Sequence, residues 1–154
     1  MNDEFEFPPG RNVRDTQDHD VALIEASLKY WCAQDVEATL STYADDIVYH
    51  VYTFQQPSPQ FAELSGKQAV RTLLYDILAG FDYLSYASDL LELREGVARV
   101  QTRFVLRHRE SGESLSGSKR QRVYIAHGEI VRIDEYHDVA MVDAFMRLTK
   151  IALG

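Results

Sequence analysis

The sequence predicts a single α+β domain in which helices pack on one face of an antiparallel sheet. Apolar residues recur at helical spacing through most of the first half, whereas the second half holds several runs with the two-residue alternation of strands. A series of helices followed by a series of strands is typical of the α+β class. The length, 154 residues, suits one domain with one core.

The N-terminal region divides into an expected flexible arm, residues 1–19, and the start of the folded domain, residues 20–154. The arm is acidic and contains turn-forming Pro8, Pro9 and Gly10. Asp20 can cap the first helix, since a carboxylate accepts hydrogen bonds from free backbone N–H groups. Four apolar residues then follow at helical spacing: Val21, Ile24, Leu28 and Trp31.

Two more helices are predicted before the strands of the second half. Asp35 can cap a short helix, and Ser65 with Gln68 forms a capping-box pattern that opens a longer helix ended by Gly80. Between these helices, residues 47–52 are β-branched and aromatic, which predicts a strand.

The segment from residue 53 to residue 64 is predicted to be a loop, because Pro57 and Pro59 interrupt regular structure. Phe54 and Phe61 flank the two prolines. Long loops with apolar anchors often close over ligands, so we expect these two rings to cover the mouth of a pocket.

Four strands are predicted in the second half, over residues 83–93, 97–109, 115–127 and 130–137, followed by a helix that Asp138 can cap. A catalytic acid at Asp138 is the less favoured interpretation. The second strand shows the clearest alternation, with an apolar face and a polar face. Its apolar face contains Ala98, Val100, Thr102, Phe104 and Leu106.

The composition excludes several classes of function. Acidic residues outnumber basic ones, 24 to 16, which disfavours a nucleic-acid partner. The basic cluster from Lys119 to Arg122 is interpreted as the solvated face of a strand. Cys32 is the only cysteine and is interpreted as a structural thiol rather than a nucleophile. The histidine spacing predicts no metal, no cofactor motif is present, and no apolar run is long enough to cross a membrane. We therefore expect a cytoplasmic protein.

Three sequence features resemble the SnoaL-like branch of the nuclear-transport-factor-two-like superfamily. They are DVEATLSTYADD at residues 35–46, Gly66 before a helix, and GEIVRIDEYHD at residues 128–138. The resemblance implies a curved sheet wrapped around N-terminal helices to form a cone with an apolar pocket, and often a homodimer through the outer face of the sheet. The superfamily includes ketosteroid isomerases, polyketide cyclases, dehydratases, epoxide hydrolases and non-catalytic members, so the fold alone does not fix the function.

The catalytic groups known in the superfamily are not conserved as a set in this chain. By the resemblance, Ser27, Val51 and Gln121 fall at the tyrosine donor, the aspartate base and the protonated aspartate of the isomerase. The isomerase mechanism is therefore disfavoured. Glu135 falls at an aspartate of the epoxide hydrolase, but Val105 falls where its second carboxylate would be, which disfavours that mechanism too.

Glu135 and His137 are the candidate catalytic residues. The resemblance places alternate residues of the last strand inside the cone, and the two-residue period puts both side chains on the same face, with Ile133 beside them. A carboxylate next to an imidazole can perform acid–base chemistry near neutral pH. The alternative interpretation is a structural hydrogen-bonded pair at the strand end.

The expected pocket-lining residues come from several elements. Tyr49 and Val51 are expected to face inward by the resemblance, whereas His50 would enter the pocket only after a register shift. The tyrosine is either a donor to substrate or a core residue with its hydroxyl at the rim. The full set of candidate ligand-binding residues is Ser27, Trp31, Tyr49, His50, Val51, Phe54, Phe61, Phe104, Gln121 and Ile133.

The sequence thus favours a cofactor-independent acid–base enzyme, such as a dehydratase, isomerase, cyclase or hydrolase, acting on a small apolar oxygenated compound. The alternative is a non-catalytic ligand-binding or subunit-interaction module of the same fold.

Overall fold

The computed structural model describes residues 13–54 and 56–149, without the side chains of residue 13 and residues 56–62. The elements follow one another as α1 (Val13–Cys32), α2 (Val36–Leu40), β1 (Tyr43–Thr53), β2 (Gln56–Ser65), α3 (Lys67–Gly80), β3 (Phe81–Arg94), β4 (Val97–His108), β5 (Ser114–Ala126), β6 (Glu129–His137) and α4 (Val139–Thr149).

The described strands form one curved, unclosed sheet in the order β2-β1-β6-β5-β4-β3. Neighbouring strands are antiparallel except β1 and β6, which pair in parallel. The predicted α+β class is confirmed, with a mixed sheet because the last strand returns beside the first. This central pairing places residues from the two ends of the fold next to each other, as in the register pair Val51 and Glu135.

The helices cover the inner face of the sheet. Ile24 of α1, Leu40 of α2 and Val70 of α3 are at most 1% exposed and pack with inward residues of β1, β4 and β6. A second apolar cluster forms around Phe81 and Phe104 and is completed by α4. The strict alternation predicted for β4 is confirmed, since its apolar positions are buried and its arginines are exposed.

The first helix begins at Val13, not at Asp20, so the prediction of an arm over residues 1–19 is wrong for residues 13–19. Residues 1–12 lie outside the described part of the chain. The added turns are polar and have Asp15 in the first turn, where a carboxylate interacts favourably with the helix dipole. A helix already fixed by packing can extend through such residues because propagation costs little.

The prediction of a loop over residues 53–64 is also wrong. Residues 56–65 form β2, an antiparallel strand at the edge of the sheet, with register shifts against β1 near Tyr52. An edge strand tolerates Pro57 and Pro59 because one side of its backbone has no ladder partner.

The two predicted helix caps have different outcomes. Asp35 does cap α2, with the Ala38 N–H donating to its carboxylate at 3.1 Å. The predicted capping box at Ser65 does not form, because Ser65 belongs to β2 and α3 begins at Lys67 after Gly66. Gly66 has a φ of 94°, a left-handed conformation that glycine adopts without strain.

Candidate functional site

A cavity of about 120 Å³ lies between the helices and the inner face of the sheet. Its lining is mainly aliphatic and aromatic, with contributions from α1, α3, α4, β1, β3, β4, β5 and β6. Residues of both apolar clusters line it, so it occupies the space that the two clusters leave between them. Strand alternation explains the lining, because only every second residue faces the cavity.

The polar groups of the cavity concentrate where β1, β6 and β5 lie side by side. Tyr49 comes from β1, Glu135 and His137 from β6, and Lys119 and Gln121 from β5. The register of the ladders brings them together, since Glu135 is opposite Gln121 in one ladder and next to Val51 in the other. The same face of neighbouring strands thus forms a polar wall in an otherwise apolar cavity.

Glu135 is the centre of this wall, and its side chain is 9% exposed. Its Oε1 accepts hydrogen bonds from the Tyr49 hydroxyl at 2.5 Å and the Gln121 amide at 2.6 Å, and lies 3.1 Å from the Lys119 ammonium. Its Oε2 lies 2.7 Å from His137 Nε2. Both carboxylate oxygens therefore have donors supplied by the chain itself.

The pKa values of the charged pair shift in opposite directions. Burial favours the neutral form of Glu135, but the ammonium of Lys119 and the hydrogen bonds from His137 and Tyr49 outweigh it and hold the pKa well below its usual value. Burial would lower the pKa of Lys119, but the carboxylate of Glu135 overcomes this and raises the pKa well above its usual value. Both groups are therefore charged at neutral pH.

Tyr49 stays a neutral hydrogen-bond donor. Burial raises the pKa of its phenol well above the usual value, and the negative charge of Glu135 raises it further. The Gln121 amide lies 3.4 Å from the same hydroxyl, so the tyrosine, glutamine and glutamate form one network.

Only one of the two ring nitrogens of His137 has a hydrogen-bond partner among the described residues. Because the ionised Glu135 can only accept, Nε2 must carry the proton of their hydrogen bond. Nδ1 is buried and has no hydrogen-bond partner among the described residues, and the same holds for the Thr53 hydroxyl. Thr53 is the register neighbour of His137 in the parallel ladder, so two unsatisfied polar groups are adjacent on the inner face.

Most of the sequence-predicted pocket residues do line the cavity. Besides the two candidate catalytic residues, these are Ser27, Trp31, Tyr49, Val51, Phe104, Gln121 and Ile133. The Ser27 hydroxyl donates within its own helix to the Ile24 carbonyl at 3.0 Å.

His50 does not line the cavity, because the register of β1 shifts only after Val51 and leaves it on the outer face. There its ring nitrogens lie 3.8 Å from Glu63 and 3.8 Å from Asp134. Asp134 is itself 6% exposed and accepts from Arg132 at 2.9 Å.

Phe54 does not cover the mouth of the cavity, so that prediction is wrong. It follows the inward-facing Thr53 and therefore points to the outer face, where its ring is 44% exposed and stacks on Tyr136. The guanidinium of Arg120 lies 5.7 Å from the centre of the same ring. The side chain of Phe61 lies outside the described part of the chain. Met141, Val142 and Phe145 of α4 line the cavity instead.

Lys119 is the site residue that the sequence interpretation missed, since it was assigned to a solvated basic face. Its side chain is only 12% exposed and faces the cavity. The alternation of β5 contains the signal: Leu115 and Val123 are buried, and Lys119 has the same parity as both. Arg120 and Arg122, with the opposite parity, are exposed as predicted.

The architecture matches solved structures of one fold family. A ketosteroid isomerase-like protein from Erwinia carotovora atroseptica aligns with a TM-score of 0.64 and 16% identity over 79% of this chain and 95% of its own. The chain has the SnoaL-like, ketosteroid isomerase-like fold. This confirms the resemblance stated from the sequence, at the level of the fold.

Two further structures of the ketosteroid isomerase-like fold are similar to this chain. A protein from Mesorhizobium loti, assigned as a SnoaL-like polyketide cyclase, gives a TM-score of 0.64 and 14% identity, covering 76% of this chain and 97% of its own. A protein from Catenulispora acidiphila in complex with trimethylamine gives 0.61 and 10%, covering 84% and 93%. No protein-family model and no curated protein matches the sequence.

The described part of the chain shows no group of three or more His, Cys, Asp or Glu residues that could hold a metal ion. None of its described helices is long and apolar enough to span a bilayer.

Proposed function

We propose that this chain is a cofactor-independent enzyme that moves protons on a small, largely apolar, oxygenated compound. The reaction would be a dehydration, isomerisation, cyclisation or hydrolysis. The observation that supports the proposal is the buried Lys119–Glu135–His137 cluster in the wall of an apolar cavity. Burying charges is costly and seldom adds stability, so a charged cluster with shifted pKa values in a cavity favours a functional site.

The geometry suggests different roles for the two candidate catalytic residues. Glu135 receives donors on both oxygens and has a lowered pKa, which suits a residue that orients its neighbours. His137 has a nitrogen without a partner among the described residues, which suits the residue that takes up or releases the proton. Tyr49 and Gln121 would hold the carboxylate in place and orient substrate oxygen.

A non-catalytic ligand-binding module is the second candidate. It is favoured by the donors on Glu135, because both carboxylate oxygens have partners without a substrate. In that case the cluster would shape the cavity, and saturable binding of a ligand would persist after either candidate catalytic residue is replaced.

The protein of similar fold that holds trimethylamine raises the question of a cationic ligand here. Aromatic rings line this cavity, and such rings can bind ammonium groups. Lys119 places a positive charge in the same wall, however, so we favour an uncharged ligand.

Turnover by variants of His137 and Glu135 tests the proposal. We expect His137→Ala and Glu135→Gln each to lower turnover by about 100-fold or more, the range usual for loss of acid–base catalysis. His50→Ala and Glu63→Gln are matched controls on the outer face and should keep wild-type activity. Monocyclic hydroxy and carbonyl compounds in D2O, followed by NMR, would report dehydration, isomerisation and deuterium uptake. Saturable binding without turnover by the wild type would instead support the binding module.

A further inference from the structure

We propose that Lys119 anchors the ligand and that the cavity thereby selects a neutral, one-ring molecule with a hydrogen-bond acceptor, best met by a carbonyl oxygen. The inference deepens the proposed function, and rests on it, because it names the substrate class of the same site. If Lys119 only lay on a solvated strand face, or only formed a structural ion pair, it would not need an N–H donor facing the cavity.

The size of the cavity limits the ligand to about one ring. Its volume is about 120 Å³, and an apolar protein cavity of about 150 Å³ accommodates benzene. The body of the ligand would contact apolar side chains, since Trp31, Phe104 and Leu115 lie around the cavity.

The charges of the wall favour a neutral ligand. Lys119 and Glu135 form a close pair whose charges cancel, with Nζ and Oε1 separated by 3.1 Å. A carboxylate ligand near Lys119 would also lie near Glu135, and an ammonium ligand near Glu135 would also lie near Lys119. Either ion would lose its hydration on entering an apolar cavity without gaining an unopposed partner.

Lys119 has an N–H donor that a ligand in the cavity can use. An ammonium carries three N–H donors. One is directed to Glu135 and a second to the Tyr86 hydroxyl, the Nζ lying 5.4 Å from the centre of that ring. Two partners for three donors leave the third N–H of Lys119 for a ligand in the cavity. Because the oxygens of Glu135 are already occupied, a ligand group that only accepts hydrogen bonds, such as a carbonyl, fits this position best.

The test uses four soluble compounds with the same ring and different head groups: cyclohexanone, cyclohexanol, cyclohexylammonium and cyclohexanecarboxylate. Calorimetric titration of the wild-type protein should give the tightest binding for cyclohexanone and binding at least about tenfold weaker for both ions. Equal or tighter binding of either ion would overturn the inference.

A variant of Lys119 tests whether this lysine is the residue that binds the carbonyl oxygen. Lys119→Met should weaken cyclohexanone binding by about tenfold or more, the effect of losing a hydrogen bond from a charged donor. Lys67→Met, which removes a lysine paired with the exposed Asp45, should leave it unchanged. An unchanged affinity in folded Lys119→Met would overturn the inference.

Infrared spectroscopy of the wild type provides a measurement that depends on no variant. The C=O stretch of bound carbonyl-¹³C cyclohexanone should lie below its frequency in hexane, because an ammonium donor weakens the bond. A frequency equal to that in hexane would show that the oxygen meets no donor and would overturn the inference.

Deuterium exchange separates this inference from the proposed function. If cyclohexanone binds through Lys119 but its α-hydrogens exchange in D2O no faster than in buffer, the anchoring role stands and acid–base catalysis on this class fails. If a different head group is both bound and turned over, the enzyme proposal stands and the inference fails.

Discussion

At the scale of the residue, the site depends on Glu135 and the donors around it. A buried carboxylate is costly unless it is paired and hydrogen-bonded, and here both conditions are met. Removing one partner destabilises the fold, because the other charge is left buried and unpaired. Removing both charges leaves no buried charge without a partner.

A double-mutant cycle on Lys119 and Glu135 tests this coupling. Lys119→Met should lower the free energy of unfolding by about 3–5 kcal/mol, because it leaves a buried carboxylate without its countercharge. The double variant Lys119→Met/Glu135→Gln should recover most of that loss in urea unfolding. Lys67→Met should change stability by less than about 1 kcal/mol, since its partner Asp45 is fully exposed. Additive effects of the two single variants would contradict the coupling.

At the scale of the element, alternation was the most informative feature of the sequence. It predicted the buried face of β4 and placed Glu135, His137 and Ile133 together. The same rule applied to β5 would have placed Lys119 inside, but a cluster of basic residues was interpreted by its overall charge.

The failures at this scale have a common physical cause. Pro57 and Pro59 argue against a central strand, but the position of a strand within the sheet cannot be read from local sequence. The outward direction of Phe54 likewise follows from the register of β1 with β6, a pairing between distant parts of the chain. The donors on Glu135 come from three strands, so only the folded sheet brings them together.

We expect α4 to be the element that opens the cavity. Its residues Met141, Val142 and Phe145 line the cavity, yet Val142 is its only buried residue among those described. Amide hydrogen exchange should therefore be faster in α4 than in β4 and β5. Saturating cyclohexanone should slow exchange in α4 but not over residues 14–20 of α1, which do not line the cavity. Unchanged exchange in α4 at saturation would argue against α4 as the opening element.

At the scale of the whole molecule, the chain is acidic, with a net charge of -8, but several carboxylates depend on basic partners. Hydrogen bonds from Arg71, Arg109 and Arg147 lower the pKa values of Glu37, Asp82 and Glu113 on the surface. Glu135 shifts in the same direction inside. Each of these groups binds a proton less readily in the folded chain than in the unfolded one, so acid destabilises the fold.

The buried pair should give this pH dependence a specific form. The pKa of Glu135 is lowered on folding, so its contribution is present above its unfolded value, about 4.3, and is lost as the pH falls through the folded pKa. The pKa of Lys119 is raised, so its contribution is present below about 10.4 and is lost as the pH rises through the folded pKa. Between these limits neither group titrates in either state.

The difference in unfolding free energy between the wild type and Lys119→Met/Glu135→Gln isolates the pair, because the surface carboxylates are common to both proteins. Urea unfolding at a series of pH values measures this difference. Below about pH 4 the wild type should lose stability relative to the double variant, because Glu135 binds a proton in the unfolded state but not in the folded state. A difference that moved in favour of the wild type on acidification would mean that Glu135 is protonated in the folded chain, and would contradict an ionised carboxylate at the centre of the site.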